Sequence, residues 1–292
     1  MRKDKMDLPQ PPPWEQVVAQ VRLALAEDLG SGDLTAGLIP AAAQSTVTIR
    51  SREQAVLCGR SWLEAVFREL DAAMRIHWGA VDGDRLAADQ VFCTLQGSTR
   101  ALLSGERTAL NFLQTLSGTA TQARRLRDYL GDSPVRLLDT RKTLPGLRLA
   151  QKYAVACGGC ANHRLGLYDA ILIKENHIQA AGGITAALRA AQGAAAGVEI
   201  EVEVENLAQL DEALGAGARR VLLDNFSLDQ LRAAVAHNQG RARLEASGNV
   251  NWDNLPYIAA TGVDDISLGA LTKDVKAVDL SMRFVETRLT GD

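Results

Sequence analysis

A chain of 292 residues is long enough for about two domains, one of them near 180 residues, with a core that needs no covalent staples. Hydrophobic residues at 47% and charged residues at 23% exclude a disordered or fibrous chain, and a net charge of −3 argues against a general nucleic-acid binder. No apolar run reaches the roughly 18 residues that span a bilayer, and Met1-Arg2-Lys3-Asp4-Lys5 leads into prolines, so no secretory signal is read and a cytoplasmic protein is expected.

Residues 1–13 read as a disordered lead, with Pro9, Pro11, Pro12 and Pro13 holding half of the eight prolines. An amphipathic helix follows over residues 14–29, carried by Val17, Val18, Val21, Leu25 and Leu29 and stopped by Gly30-Ser31-Gly32-Asp33. Short alternating runs at 46–50, 74–78 and 91–95, with a helical stretch at 61–70, predict a smaller α/β sandwich (α+β) domain over 14–118, to which a C-terminal segment returns. A long helical pattern over 104–130, interrupted near Gly118, leads out of it.

From residue 119 to 292 the texture changes. Six short apolar runs begin at residues 135, 170, 198, 221, 242 and 265, each followed by a helical pattern. That alternation predicts parallel strands joined by helices. An open doubly wound sheet also fits. The runs end in chemically competent residues, as strands do at the C-terminal rim of a barrel, which favours an incomplete (β/α) barrel.

Charge is concentrated by region. Between Arg100 and Lys174 there are twelve Lys and Arg against five Asp and Glu. Arg124, Arg125 and Arg127 fit a solvated helix face; the remainder fits a pocket for a multiply anionic small molecule. Exposed aromatics for a nucleic-acid surface are lacking, at 4% of the chain. The spacing Cys157-Gly-Gly-Cys160 has no second close cysteine pair, and small residues near a helix end explain it better than zinc or redox chemistry.

The run ends supply the candidate site. They are Thr140-Arg141-Lys142-Thr143, Asn162-His163-Arg164, Lys174-Glu175-Asn176-His177, Asp224-Asn225, Ser247-Gly248-Asn249 and Ser267-Leu268-Gly269-Ala270. Arginine pairs carboxylates bidentately and lysine suits phosphate as a point charge. With seven lysines against 25 arginines, Lys142 and Lys174 on adjacent rims stand out. Glu201, Glu203 and Glu205 share one face of a strand that should be apolar on both. Pairing with nearby arginines accounts for Glu201 and Glu205 as well as a ligand role does, whereas Glu203 and Asp224 favour Mg²⁺ or ribose hydroxyls. The glycine-containing Ser247-Gly248-Asn249 and Leu268-Gly269-Ala270 turns offer backbone donors where barrels often hold a phosphate. His163 is equally open to a structural role and to ligand binding.

These residues sit in longer motifs. Glu27-Asp28-Leu29-Gly30, Gly105-Glu106-Arg107-Thr108-Ala109-Leu110-Asn111-Phe112, Leu138-Asp139-Thr140-Arg141-Lys142-Thr143-Leu144-Pro145-Gly146, Asn162-His163-Arg164-Leu165-Gly166-Leu167 and Leu223-Asp224-Asn225-Phe226 occur in order. The chain thereby resembles the quinolinate phosphoribosyltransferases from about Ala26 to Phe284, with Cys160 standing where glycine is expected. The resemblance implies an α/β sandwich followed by an incomplete barrel, in a homodimer. It implies a Mg²⁺-dependent reaction of quinolinate with 5-phosphoribosyl-1-pyrophosphate, giving nicotinate mononucleotide, pyrophosphate and CO₂ for NAD synthesis. Arg141, Arg164 and His163 would hold the carboxylates, with Arg107 supplied by the neighbouring subunit. Lys142 and Lys174 would bridge quinolinate and pyrophosphate, Glu203 and Asp224 would take the metal and the ribose hydroxyls, and Ser247-Gly248-Asn249 with Leu268-Gly269-Ala270 the 5-phosphate. A relative acting on another aromatic acid, including those associated with molybdenum transport, and a non-catalytic anion-binding protein are the rival expectations. Retention of Lys142, Lys174, Glu203 and Asp224 together counts against the second.

Overall fold

The computed structural model describes residues 9–194 and 197–289, and its chain falls into two compact units. Residues 1–8 of the expected lead lie outside the described residues; residues 9–13 carry no regular secondary structure. The chain runs through α1 (Trp14–Leu29), a 3-10 turn (Ala36–Leu38), β1 (Gln44–Ser51), β2 (Ala55–Val56), α2 (Arg60–Leu70), β3 (Arg75–Trp78), β4 (Arg85–Leu86), β5 (Val91–Ser98) and α3 (Thr99–Tyr129). Next come β6 (Arg136–Leu138), α4 (Arg148–Cys157), β7 (Ala170–Ile173), α5 (Glu175–Ala181), α6 (Ile184–Ala194), β8 (Glu199–Val204), α7 (Leu207–Gly215) and β9 (Arg220–Asp224). Then follow α8 (Leu228–Asn238), β10 (Arg243–Ser247), α9 (Leu255–Ala259), β11 (Asp265–Ser267), α10 (Ala270–Lys273) and β12 (Leu280–Arg288). No helix among the described residues is long and apolar enough to cross a membrane.

The first unit takes the chain up to Arg124, Leu144–Gly159 and the described residues from Asp274. Its core side chains Val17, Val21 and Leu25 are buried at the helical spacing read for α1, and Trp62, Leu63, Val66 and Phe67 of α2 are fully buried. The indole Nε1 of Trp62 donates to Gln20 Oε1 at 2.7 Å, which ties the two helices together. Behind them lies an antiparallel sheet in the order β12-β1-β5-β3. In β1 the buried positions alternate through Ser45, Val47, Ile49 and Ser51, the period of a strand with one face on the core.

The second unit, Arg125–Thr143 and Cys160–Lys273, holds all six apolar runs as parallel strands in the order β6-β11-β10-β9-β8-β7. Read as a ring, sequence neighbours are paired everywhere except between β6 and β7, so the barrel is open at that seam, as an incomplete (β/α) barrel requires. The helix between those two strands, α4, belongs to the first unit, which leaves the seam without a covering helix of its own unit. In its place Leu138 forms a parallel bridge with Ala161. Helices α5 to α9 connect the remaining strands, and the alternation puts Ile200, Val202 and Val204 on one face of β8 and Glu199, Glu201 and Glu203 on the other.

Helix α3 runs unbroken past the expected boundary at residue 118, and residues 144–159, expected in the barrel domain, count with the first unit; the described residues from Asp274 join that unit as the returning C-terminal segment. Gly118 answers to packing, not to helix termination: a Cβ there would lie 2.2 Å from the carbonyl oxygen of Lys276, where the returning chain crosses α3. Gly158 is likewise closed in, its Cβ position being 2.4 Å from the Cβ of Ala123, which accounts for small residues around Cys157. In an open helix Gly→Ala gains about 1 kcal/mol. Here Gly118→Ala should instead lower the urea midpoint, by an amount equivalent to about 1–3 kcal/mol of overpacking; an increase would show that the crossing chain yields freely.

Candidate active site

Charge fills the strand ring from its N-terminal end upward. Asp265, which opens β11 and is 0% exposed, accepts two hydrogen bonds from Arg136 at 2.7 and 3.1 Å and two from Arg243 at 2.8 and 2.9 Å. Burial pushes the Asp265 carboxyl up, but the bonds from Arg243 and Arg136 outweigh it and hold the carboxyl below its usual range. Arg220, which opens β9, reaches Glu199 at 3.1 Å, Glu245 at 3.1 Å, Glu201 at 3.5 Å and Asp265 at 3.8 Å. The even choice left open for Glu201 thus resolves to pairing with an arginine; Glu205 is exposed and makes no ion pair among the described residues.

One layer higher, His163 meets this network. Its Nε2 lies 2.8 Å from Glu201 Oε2 and 3.6 Å from Glu245 Oε2, while the Arg164 amide donates to its Nδ1 at 2.7 Å. The amide bond fixes the tautomer with the proton on Nε2, donated to Glu201. Burial lowers the proton affinity of the ring, and Glu201 and Glu245 more than offset that; charging the ring would cost the bond to the Arg164 amide. Glu245 is 1% exposed, and burial together with the neighbouring Glu201 pushes its carboxyl up to about 7. His163 and Ser267 pull the other way without offsetting it, and one oxygen, Oε1, has no hydrogen-bond partner among the described residues.

The segment that carries His163 is positioned by a buried acid at the end of β6. Asp139, 0% exposed, accepts from the His163 amide at 2.9 Å and from Asn162 Nδ2 at 2.6 Å. Asp169 closes the next turn by accepting from the amides of Leu165 at 2.7 Å and Gly166 at 2.9 Å. Arg164 between these clamps donates to the Ala170 carbonyl at 3.3 Å. Burial and the adjacent Arg141 guanidinium both pull Arg164 below its ordinary proton affinity, so two guanidiniums stand close enough to repel.

Above this lies a cavity of about 330 Å³ at the C-terminal ends of the strands. Its lining contains Thr140, Arg141, Lys142, His163, Arg164, Lys174, Glu203, Asp224 and Ser247, all expected there, together with Leu172, Leu222, Glu245 and Ser267. Four cations thus face three carboxyls, one of which already lies on Arg220. Lys174 is paired with Glu203, and Asp224 accepts from its neighbour Asn225 at 2.8 Å. The stem of Lys142 crosses Gly269, where a Cβ would sit 3.1 Å from Lys142 Cδ, and its carbonyl accepts from Thr272 at 2.7 Å. A cavity of similar size in the first unit, about 300 Å³ beside Gln20, Glu27, Asp28 and Asn111, is lined by no basic residue and does not suit an anion.

Several expected residues lie elsewhere. Thr143, Gly248, Asn249, Leu268, Gly269 and Ala270 are not in the lining, and Arg107 is exposed on α3 in the first unit. Leu268 departs most from expectation: its side chain is 2% exposed, and its amide donates to the Leu138 carbonyl at 2.9 Å, so it offers no free N–H. Gly248 adopts φ +94, and a Cβ there would meet Asn225 Oδ1 at 2.2 Å, so its glycine serves a close approach of two rim loops. His163 also departs, since both ring nitrogens are committed to the protein. The cation-rich window proves to be several sites: Arg136 belongs to the Asp265 network, and Arg100 donates to the Ile39 carbonyl at 2.7 Å in the first unit.

Two groups of acids could hold a cation. Glu203 and Asp224 end adjacent strands and face one cavity with carboxylate oxygens, the donors a hard divalent ion prefers, and the Lys174 ammonium on Glu203 shows that a cation is accommodated there. They fit Mg²⁺. His163, Glu201 and Glu245 also converge, with ligand atoms within 4.8 Å of one another, but Arg220 already supplies their cation.

An open (β/α) barrel that gathers arginines, lysines and hard oxygen donors around one rim cavity defines an enzyme for a multiply anionic small molecule. Family models describing the N-terminal and C-terminal domains of quinolinate phosphoribosyl transferase match residues 33–117 and 119–283. The chain is 43% identical over 257 residues to a probable nicotinate-nucleotide pyrophosphorylase [carboxylating] of Bacillus subtilis, covering 88% of this chain and 89% of that one. It is 37% identical to quinolinate phosphoribosyltransferase [decarboxylating] 1 of Nicotiana glauca, covering 92% and 82%. The solved structure of the nicotinate-nucleotide pyrophosphorylase from Francisella tularensis superposes with a TM-score of 0.92 at 44% identity, covering 97% and 100%. The chain belongs to the quinolinate phosphoribosyltransferase family.

The raised Glu245 carboxyl makes a statement about stability. A carboxyl that binds its proton more tightly when folded stabilises the fold fully below its unfolded pKa, and that contribution is lost as pH rises through the folded value near 7. Glu245→Gln keeps the neutral form at every pH. Its thermal midpoint should therefore fall less than that of the parent protein between pH 5 and 8, with a relative gain of about 1–3 kcal/mol at pH 8; parallel curves would contradict a raised Glu245.

Proposed function

We propose that this chain joins quinolinate to 5-phosphoribosyl-1-pyrophosphate, releasing pyrophosphate and CO₂ and forming nicotinate mononucleotide in NAD synthesis. The observation that carries this reading is the placement of Arg141 and Arg164, close enough to repel, in one cavity with Lys142 and Lys174. Two mutually repelling guanidiniums call for a ligand with two carboxylates, and the lysines beside them suit a diphosphate. The family's activity supports the same substrates.

In this reading Arg141 and Arg164 grip the two carboxylates and set the orientation of the pyridine nitrogen. Lys142 and Lys174 lie between the acid and the pyrophosphate, where they offset the charge of the leaving anion. Glu203 and Asp224 hold Mg²⁺, which when bound neutralises pyrophosphate oxygens. The same carboxylates face the ribose carbon as it becomes positive. Once the nitrogen is bonded to ribose, its pyridinium charge stabilises the electron pair left on the adjacent carbon by departing CO₂, and a proton from water then forms the C–H bond of the product. The Thr140 hydroxyl accepts from the Lys142 amide at 3.0 Å, which keeps that turn in place. Arg107 of a second subunit completes the site in a homodimer, in keeping with its exposure on α3. Ser247, with the Gly248-Asn249 turn, and Gly269-Ala270 receive the 5-phosphate, Leu268 serving as the buried anchor of its turn.

A monocarboxylate would leave one of the two guanidiniums without its anion, so nicotinate should be a poor substrate. Purified protein given quinolinate, phosphoribosyl pyrophosphate and Mg²⁺ should form nicotinate mononucleotide with one CO₂ per product; equal or better use of nicotinate would overturn the reading. Arg141→Ala should weaken quinolinate binding in calorimetry by about 1.5–3 kcal/mol, the worth of hydrogen bonds between charged groups. Parental affinity in that variant would remove Arg141 from the carboxylate site.

A further inference from the structure

The floor of the cavity holds an acid for which the reaction outlined above has no use. Glu245 projects from the middle of β10 into the same cavity as Arg141 and Arg164, at 1% exposure. Its Oε2 lies 3.1 Å from Arg220 and 3.6 Å from His163, Ser267 also bonds to the carboxyl and favours its charged form, and Oε1, like Oε1 of Glu201, meets no hydrogen-bond partner among the described residues. A bare carboxylate oxygen at such a site is costly to keep charged, whereas a carboxyl with a proton there is not.

The surrounding charges sharpen the point. From β8 Glu201 faces it, from β9 Arg220, from β11 Asp265 and Ser267, and from the segment before β7 His163. Arg136 and Arg243 are taken by Asp265. Arg220 is therefore left to Glu201, Glu245 and the exposed Glu199, with too little positive charge for both buried glutamates. Of the two, Glu201 already receives the His163 Nε2 proton. Above stand Lys142, Lys174, Glu203 and Asp224 on the rim, together with the two arginines. A dicarboxylate entering this cavity adds two negative charges over Glu245.

We propose that Glu245 is a proton-linked specificity residue: its carboxyl takes up a proton as the dicarboxylate enters, so that the cavity accepts a doubly charged acid without placing a third carboxylate beneath it. This rests on the reading of quinolinate as substrate and adds to it a residue that does not grip the ligand. The sign follows from linkage. Where Glu245 is already protonated, binding takes up nothing; at higher pH each bound quinolinate draws in one proton, and affinity falls as pH rises.

Isothermal titration of the full-length protein with quinolinate, in HEPES and in Tris at pH 8 and in MES and in Bis-Tris at pH 5.5, measures the uptake directly through the different ionisation heats of each buffer pair. The parent protein should take up close to one proton per quinolinate at pH 8 and almost none at pH 5.5, with affinity falling about ten- to fifteenfold between pH 7 and 8.5. Glu245→Gln, fixed neutral, should show no uptake at either pH and should bind at pH 8 as tightly as the parent does at low pH. Glu245→Asp should restore the uptake, a pattern that a merely structural role would not produce, and it serves equally should the glutamine variant fail to fold. Quinolinate binding without proton uptake, or uptake undiminished in Glu245→Gln, would overturn this proposal alone. Failure to bind quinolinate at either pH would overturn the substrate reading and this proposal with it.

Discussion

Charge buried inside a strand ring has to be balanced mainly by other side chains, because burial takes away most of the water that would otherwise do it. In this barrel the balance is struck in two tiers. Around the strand starts, Arg136, Arg220 and Arg243 lie against Asp265, Glu199, Glu201 and Glu245. At the strand ends Arg141, Lys142, Arg164 and Lys174 outnumber Glu203 and Asp224. The lower tier is neutralised largely from within and shapes the floor; the upper one carries an excess of positive charge that an anionic ligand completes. A barrel whose interior layers were apolar, as parallel-strand interiors usually are, would have no such gradient.

The gradient is useful only if the upper cations are held still, and the rim loops do that with buried acids and close backbone contacts. Asp139 fixes Asn162 and His163, His163 fixes the Arg164 amide, and Asp169 fixes the turn beyond. On the opposite side Asn225 takes φ +56 and packs into the space that Gly248 leaves, while its amide donates to the Ser247 carbonyl at 2.9 Å. These groups need not touch a ligand; they set where the ligand-facing groups stand.

Much of this was legible in the chain itself. All six apolar runs became strands, because a strand buried between ring and helices must be apolar over several consecutive residues. Helix α1 begins and ends where its pattern and its glycines say. Nine of the rim residues share the cavity because strand ends of one hand must converge. What stayed hidden depends on contacts distant in sequence. A C-terminal segment is expected to return to the first domain, but its place as strand β12 at the sheet edge is set by pairing with β1, from Gln44 with Arg288 to Ser51 with Leu280, which no local pattern announces. Gly118 looks like a helix interruption until Lys276 is seen against it. Glu245 sits in an unremarkable Arg-Leu-Glu-Ala run, and only the approach of Glu201, Arg220 and His163 from other strands singles it out. Leu268 is read as part of a phosphate turn from its glycine neighbour, but its amide is needed to seal β11 against β6.

The central claim is that the excess of rim cations selects for two carboxylates, and a binding comparison tests it without any turnover. Quinolinate and nicotinate, titrated separately into the protein at fixed pH and low salt, differ by one carboxylate on the same ring. If Arg141 and Arg164 each require an anion, quinolinate should bind at least about a hundredfold more tightly, the equivalent of roughly 3 kcal/mol for one buried charged partner, and the gap should narrow as salt rises. Equal affinities for the two acids would mean that the paired guanidiniums do not read the ligand, and the account of this cavity would fail.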